Sequence, residues 1–108
     1  MSDILTNAGS IKAIRLPLTD ALTAIRLPFL PVPNGFYLRI KSDPANPANC
    51  IILIAGQQAL AQNITASWPL VINEMEKFWV QDASVLFASA TIVPAYVVLM
   101  VESVTRSL

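Results

Sequence analysis

Eight prolines are distributed along this chain of 108 residues, and they constrain its fold more than any other feature. They lie at positions 17, 28, 31, 33, 44, 47, 69 and 94, and the longest stretch without one runs from residue 70 to residue 93. Because proline lacks a backbone donor and clashes with the preceding helical turn, long α-helices are excluded from most of the chain. At this length the chain is expected to form a single structural domain.

Short apolar runs separated by proline, asparagine and aspartate predict strands. Such spacing is typical of sandwiches and barrels, so we expect an all-β fold, a small antiparallel β-sandwich or jelly-roll-like domain. The predicted strands cover residues 11–16, 23–27, 36–41, 50–55, 70–72, 78–80, 85–90 and 95–103. The predicted core contains Leu38, Ile40, Ile52, Ile54, Phe78, Val80 and Val98.

The pentapeptide Ala-Ile-Arg-Leu-Pro occurs twice, at residues 13–17 and 24–28. Two copies are too few for a solenoid, so they predict two similar strands, each ended by proline. Proline in such strands favours a sheet edge or an extended arm that lies on a neighbouring subunit. We therefore divide the chain into an arm or edge-strand segment, 1–34, and a sandwich domain, 35–108. The candidate interface residues of the segment 1–34 are Ile14, Arg15, Leu16, Ile25, Arg26, Leu27 and Phe29.

The composition favours burial of surface between molecules. Hydrophobic residues make up 55% of the chain and charged residues 13%, whereas about 25% charged is typical. A domain of this size cannot bury so much apolar surface alone, so we expect a homo-oligomer or a protein partner. Trp68 and Trp79 join the candidate interface, although with Tyr37 and Tyr96 they would also suit a platform for stacking sugars or bases. Seven basic residues balance seven acidic ones, so we predict no nucleic-acid partner.

The side chains that carry most catalytic chemistry are scarce. The chain has no histidine and one cysteine, which excludes a Ser-His-Asp or Cys-His arrangement and a zinc site of ordinary spacing. Cys50 is predicted to be a buried thiol, with an intermolecular disulfide as the alternative. We therefore predict a protein that is not an enzyme and has no catalytic residues, cofactor or metal.

One long uncharged stretch, residues 83–101, has the length of a membrane-spanning helix. Pro94 interrupts it, serine and threonine punctuate its first half, and no basic cluster flanks it. The stretch also divides into two apolar strands, as expected for strands buried on both faces. We favour two strands, with a membrane span as the alternative.

Several segments resemble small virion proteins of tailed bacteriophages. Residues 41–46, Lys-Ser-Asp-Pro-Ala-Asn, lie between two strands and are similar to the "K-A-D-P-x-N" turn of those proteins. Residues 68–72 resemble their "L-x-x-G-x-x-x-x-I" segment, residues 77–84 their "k-i-y-v-x-a-s" strand, and residues 95–102 their final apolar strand. The resemblance covers residues 25–102. It implies a compact β-sandwich that assembles in many copies on a phage particle.

The resulting prediction is a non-enzymatic bacteriophage structural protein, made in the bacterial cytoplasm and located in the virion. Its expected role is to decorate or cement the capsid by bridging neighbouring subunits. An accessory protein of the head–tail junction, tail or fibre base is the alternative within this class. A small ligand-binding β module and a single-span membrane protein are the alternatives from other classes.

Overall fold

A computed structural model describes residues 13–103, and within them the chain is all β, as predicted. Each predicted strand overlaps an observed one. The largest displacement concerns the sixth, predicted at residues 78–80 and found at Met75–Phe78. Two 3-10 turns, Leu60–Gln62 and Ala83–Val85, interrupt the connections. The strands are β1 (Ala13–Leu18), β2 (Ile25–Arg26), β3 (Phe36–Ser42), β4 (Ile51–Ala55), β5 (Trp68–Val71), β6 (Met75–Phe78), β7 (Phe87–Ala90) and β8 (Ala95–Ser103).

The strands form two antiparallel four-stranded sheets. The first sheet has the order β1-β8-β3-β6, and the second has the order β2-β7-β4-β5. The first strand therefore pairs with the last, the second with the seventh, the third with the sixth and the fourth with the fifth. This is a long antiparallel hairpin rolled up on itself, which is the jelly-roll topology.

The core lies between the sheets and is filled by aliphatic side chains. In β3 and β4 alternate residues point inward, as the pleat of a strand dictates. Leu38, Ile40, Ile52 and Ile54 are all buried, as predicted, and Phe78 and Val80 pack partly buried against them. The interior is therefore occupied by the chain's own side chains.

The prediction that Val98 belongs to the core is wrong. Val98 lies opposite Lys41 in the register of β8 with β3, and both side chains are on the outer face of the first sheet. The buried residues of β8 are Ala95, Val97 and Leu99. Because β8 is apolar at nearly every position, its sequence has no alternation from which the inward face can be recognised.

The outer faces of the two sheets differ. A loop at residues 56–67 packs over β4 and β7 of the second sheet, so Leu53 and Ser89 are buried although they point away from the main core. The Ser89 hydroxyl donates a hydrogen bond of 2.6 Å to the carbonyl of Ala61 in this loop. The outer face of the first sheet carries exposed and half-buried charged side chains.

The described part of the N-terminal segment, residues 13–34, forms edge strands of the sandwich. β1 lies at one edge of the first sheet and β2 at one edge of the second. Leu18, Leu27 and Val32 are buried in the common core. Residues 11 and 12, which were predicted to begin the first strand, lie outside the described residues.

The apolar stretch at 83–101 folds as the 3-10 turn, β7 and β8, which confirms its division into two strands. None of the helical segments between residues 13 and 103 has the length and hydropathy needed to cross a bilayer.

Candidate interaction surface

The outer face of the first sheet carries an aromatic and basic cluster. Leu38 and Ile40 point into the core, so Tyr37, Arg39 and Lys41 point outward. The neighbouring strand β6 places Lys77 opposite Arg39 in the register. Trp79 follows β6, and its ring lies 5.4 Å from that of Tyr37. We call Tyr37, Arg39, Lys41, Lys77 and Trp79 the basic face.

Tyr37 is the centre of the basic face. The Arg39 guanidinium lies 5.7 Å and the Lys77 ammonium 5.1 Å from its ring centroid, within the range of a cation–π interaction. The Tyr37 hydroxyl donates to a carboxylate oxygen of Glu102 at 2.9 Å and accepts from Arg39 at 3.0 Å. Trp79 covers one side of Tyr37 and is itself 67% exposed. The cluster thus combines the ring of Tyr37, which is held in place by its neighbours, with the exposed indole of Trp79.

Positive charge exceeds negative charge on the basic face. Glu102 pairs with Arg39 at 3.0 Å. Within residues 13–103 the ion pairs are this one and Arg15–Asp43, so Lys41 and Lys77 have no carboxylate at salt-bridge distance. The Nε atom of Arg39 is buried without a hydrogen-bond partner. Although the whole chain has no net charge, this face can attract an anionic group.

The turn that carries the resemblance to virion proteins has a structural role here. Arg15 of β1 donates from Nε to Asp43 at 2.6 Å, and its guanidinium lies 3.7 Å above the ring of Tyr96. The hydrogen bond from Arg15, together with the backbone N–H of Ala45, lowers the pKa of Asp43. These contacts join the turn to two strands of the first sheet.

Asn46 completes this turn. Its amide nitrogen donates to the Ser42 hydroxyl at 3.1 Å and to the carbonyl of Tyr96 at 3.0 Å, while its amide oxygen accepts from the Tyr96 N–H at 2.7 Å. The side chain is buried. A buried amide with these partners fixes the turn against β8. The side chains of Asp43 and Asn46 therefore use their polar groups for contacts within the domain.

The predicted interface residues of the repeat are mostly engaged within the chain. Leu27 is 1% exposed and offers no surface to a partner, while Ile14 and Leu16 pack partly buried against the core. Ile25, on the edge strand β2, is 37% exposed. Arg26 lies 4.8 Å from the ring of Phe87 and donates to the carbonyl of Ser84 at 2.8 Å.

Three other predicted interface residues are exposed and lie at the same end of the sandwich. Phe29 is 76% exposed, and the segment that follows it bridges to Asp82 through Pro31. Trp68, at the start of β5, is 52% exposed and meets the ring of Phe78 edge-on at 6.4 Å. Trp79 follows β6 at this end. We call Phe29, Trp68 and Trp79, with the half-exposed Val85, the apolar end.

The carboxylates and the single cysteine of the described residues lie apart from one another. No three cysteine, aspartate or glutamate side chains between residues 13 and 103 are close enough together to hold a metal ion. Cys50 is buried, as predicted, and its thiol donates to the carbonyl of Ile92 at 3.4 Å. Burial raises the pKa of Cys50, which favours the unreactive thiol over the thiolate.

The basic face was not recognised from the sequence. The alternation of Tyr37, Arg39 and Lys41 was visible, but their association with Lys77 depends on the pairing of β3 with β6. A predicted register between these strands would have revealed the cluster.

No protein-family model matches this chain, and no curated protein or solved structure is similar enough to it to count as a match.

Proposed function

We propose that this chain is a non-enzymatic structural protein that binds other protein subunits through its surface. The apolar end carries the proposal: Phe29, Trp68 and Trp79 are large, mostly exposed side chains at one end of a domain whose core is already filled. Large exposed apolar side chains in one part of a surface mark interaction sites, and tryptophan is enriched among the residues that dominate interface energies.

The resemblance to phage virion proteins supplies the proposed setting. The protein would decorate or cement the capsid of a bacteriophage, or act as an accessory protein at the head–tail junction, tail or fibre base. The jelly-roll topology supports this setting by analogy, because the fold recurs in viral capsid domains. The same fold also serves lectins and cupins, so the analogy is one of fold alone.

The proposed mechanism is mechanical. A decorating protein buries its apolar end against neighbouring subunits. The buried area opposes the separation of these subunits when pressure inside the shell pushes outward. Copies of the chain that contact one another on the particle would form the expected homo-oligomer. In such a symmetric oligomer every copy uses the same surface.

The test measures binding to particles and uses variants at the two ends of the sandwich. Purified protein is mixed with phage particles or empty shells and sedimented, and the bound fraction is quantified by mass spectrometry. We expect Phe29→Ser with Trp79→Ser to abolish co-sedimentation. Ile92→Ser, at the opposite end, is the matched control for loss of an exposed apolar side chain and should bind normally. Equal binding of both variants, or a native monomer that binds no particle, contradicts the proposal.

A ligand-binding module is the second candidate, and the exposed indole of Trp79 above Tyr37 favours it. Exposed aromatic side chains of this kind stack against sugar rings or nucleic-acid bases. Titration of the native protein with neutral oligosaccharides, monitored by tryptophan fluorescence, distinguishes the candidates. A saturable change that disappears in Trp79→Ala, together with no binding to particles, supports this module over the structural role.

A further inference from the structure

β6 differs from the other three edge strands of the sandwich. β1 contains Pro17, β5 contains Pro69, and Pro28 follows β2 after one residue. Proline on an edge strand blocks the addition of another strand, because it cannot donate a hydrogen bond. β6, with the sequence Met-Glu-Lys-Phe, contains no proline. Among the edges that the structure describes, β6 is therefore the one best suited to pair with a further strand.

The backbone of β6 is oriented for such pairing. The N–H of Ser42 donates to the carbonyl of Glu74 at 2.9 Å, which sets the phase of the β3–β6 ladder. Since hydrogen bonding alternates along an antiparallel pair, Glu76 and Phe78 bond to β3. Met75 and Lys77 then direct their N–H and C=O groups to the outer edge of the sheet.

The charge beside this edge selects the partner. Arg39 and Lys77 are directly opposite each other, and in a pair of this phase the Cα atoms are about 4.5 Å apart. Like charges opposite each other are unfavourable, and Lys41 adds a third cation diagonally across from Lys77. Glu102 balances Arg39 only. A carboxylate supplied from beyond β6 would relieve this repulsion.

A second copy of the chain does not supply that carboxylate. In a symmetric antiparallel pairing of β6 with β6 of a second copy, one residue lies opposite itself. Two such pairings keep that residue and both of its chain neighbours within β6. The register centred on Glu76 places two carboxylates opposite each other, and the register centred on Lys77 places two ammonium groups opposite each other. Both arrangements are unfavourable. Lysine on an edge strand commonly opposes pairing between copies, and here the same charge favours an acidic partner.

We propose that β6 binds an extended acidic segment of another protein, which joins the first sheet as its fifth strand and places a carboxylate beside Lys77. Backbone hydrogen bonds to Met75 and Lys77 provide affinity, and the cations of the basic face provide selectivity. This inference rests on the proposed structural function, because it names a site and a class of partner for it.

The first experiment uses defined probes. The native protein is titrated against a fluorescein-labelled octapeptide of alternating valine and glutamate, and binding is followed by fluorescence anisotropy. The matched valine–lysine octapeptide and an eight-residue oligothymidylate are the controls for sign of charge and for class of polymer. We expect binding of the glutamate peptide alone. No binding of that peptide up to about 1 mM, or equal binding of either control, overturns the inference.

Variants separate the backbone from the charge. Met75→Pro removes an outward N–H and keeps Lys77, whereas Lys77→Gln removes the charge and keeps the N–H. Each should weaken binding of the glutamate peptide about tenfold, the effect of losing one charge-assisted or ladder hydrogen bond. Arg26→Gln, on an edge of the other sheet, should bind like the native chain. Native affinity in a folded Met75→Pro variant overturns strand addition.

A charge reversal keeps the test decisive if the proline variant does not fold. Lys77→Glu should lose the glutamate peptide and gain the lysine peptide, and an unchanged preference overturns the inference. Sedimentation with particles separates this inference from the proposed function. If native protein and Lys77→Glu bind particles equally, the function stands and the role of β6 is overturned. If the native protein binds the glutamate peptide but no particle, the function fails and the β6 site stands.

Discussion

The two copies of the pentapeptide Ala-Ile-Arg-Leu-Pro have the same sequence but different structures. The first copy lies in a strand of six residues, β1, which continues through its proline. The second contributes a strand of two residues, β2, which ends before its leucine and proline. Burial differs as well: Ala13 is exposed and Leu16 half-buried, whereas Ala24 and Leu27 are both buried. Local sequence therefore does not determine how long either strand is.

The partner strands of the two copies also differ in length. β1 pairs with β8, which is nine residues long, whereas β2 pairs with β7, which has four. The N–H of Leu27 still donates to the carbonyl of Leu86 beyond the short β2 ladder, but at Ala24 side chains replace strand hydrogen bonds. Gln62 accepts from the N–H of Ala24, and Gln58 donates to its carbonyl. The loop that covers the second sheet thus also holds the second copy in place.

One property is common to both copies. Each arginine points to the outer face and lies over an aromatic ring of its partner strand, Arg15 over Tyr96 and Arg26 over Phe87. The copies differ in what else their arginines bind, since Arg15 meets a carboxylate and Arg26 a backbone carbonyl.

The leucines of the two copies should differ most. Leu27→Ala should lower the free energy of unfolding by about 2–5 kcal/mol, the cost of a cavity in a packed core. Leu16→Ala should cost less, because Leu16 is partly exposed on an edge strand. Urea denaturation of both variants measures the difference, provided that the m-value is unchanged. Equal losses would mean that the copies contribute equally to the core.

The turn that contacts the first copy provides the second prediction. Asn46→Ala leaves the partly buried N–H of Tyr96 without its acceptor and should cost about 1–3 kcal/mol. Asn63→Ala, at an exposed turn within the loop that holds the second copy, is the control and should have a smaller effect. A loss in Asn46→Ala no larger than in the control would show that the amide is not needed to hold the turn.

The fold was predictable from the sequence because proline placement and short apolar runs restrict the chain to strands. The ends of β3 and β8 are close to the predictions because turn residues or an acidic residue follow the apolar run. The length of β2 was not predictable, since residues 23–27 suit a strand along their whole length but only Ile25 and Arg26 pair with β7. The inward face of β8 was also hidden, because apolar residues occupy both of its faces.

The candidate surface was less predictable than the fold. Trp68 and Trp79 were predicted from the excess of apolar residues and Phe29 from the proline-containing N-terminal segment, and all three are exposed. Leu27 was predicted on the same grounds as Phe29 but lies in the core. Exposure depends on which strand is covered by which loop, and that information is not present in any single segment. The basic face likewise depends on a register between β3 and β6.

The third prediction concerns pH. The hydrogen bond from Arg15 holds the pKa of Asp43 below its ordinary value of 3.8. A carboxyl whose pKa is lowered by folding stabilises the folded state above the unfolded pKa, and this contribution disappears as the pH falls through the folded pKa. Denaturation midpoints of the native chain and Asp43→Asn should therefore differ most near neutral pH and converge below about pH 4. A constant difference down to the lowest pH would contradict the lowered pKa.

The smallest effect is expected at the two arginines. Arg26 is exposed and is bound to a neutral carbonyl, so Arg26→Gln should change the melting temperature by less than about 3 °C. Arg15→Gln should lower it further, because Asp43 is buried at the turn and loses the charge-assisted hydrogen bond that forms its ion pair. A double-mutant cycle of Arg15→Gln with Asp43→Asn isolates that interaction from the packing of the guanidinium on Tyr96. Coupling that weakens in high salt would identify a screened surface pair, whereas coupling that resists salt would identify the hydrogen bond as the main contribution. If Arg15→Gln and Arg26→Gln melt at the same temperature and the cycle shows no coupling, the different partners of the two arginines do not affect stability. Strand length and leucine burial alone would then distinguish the copies.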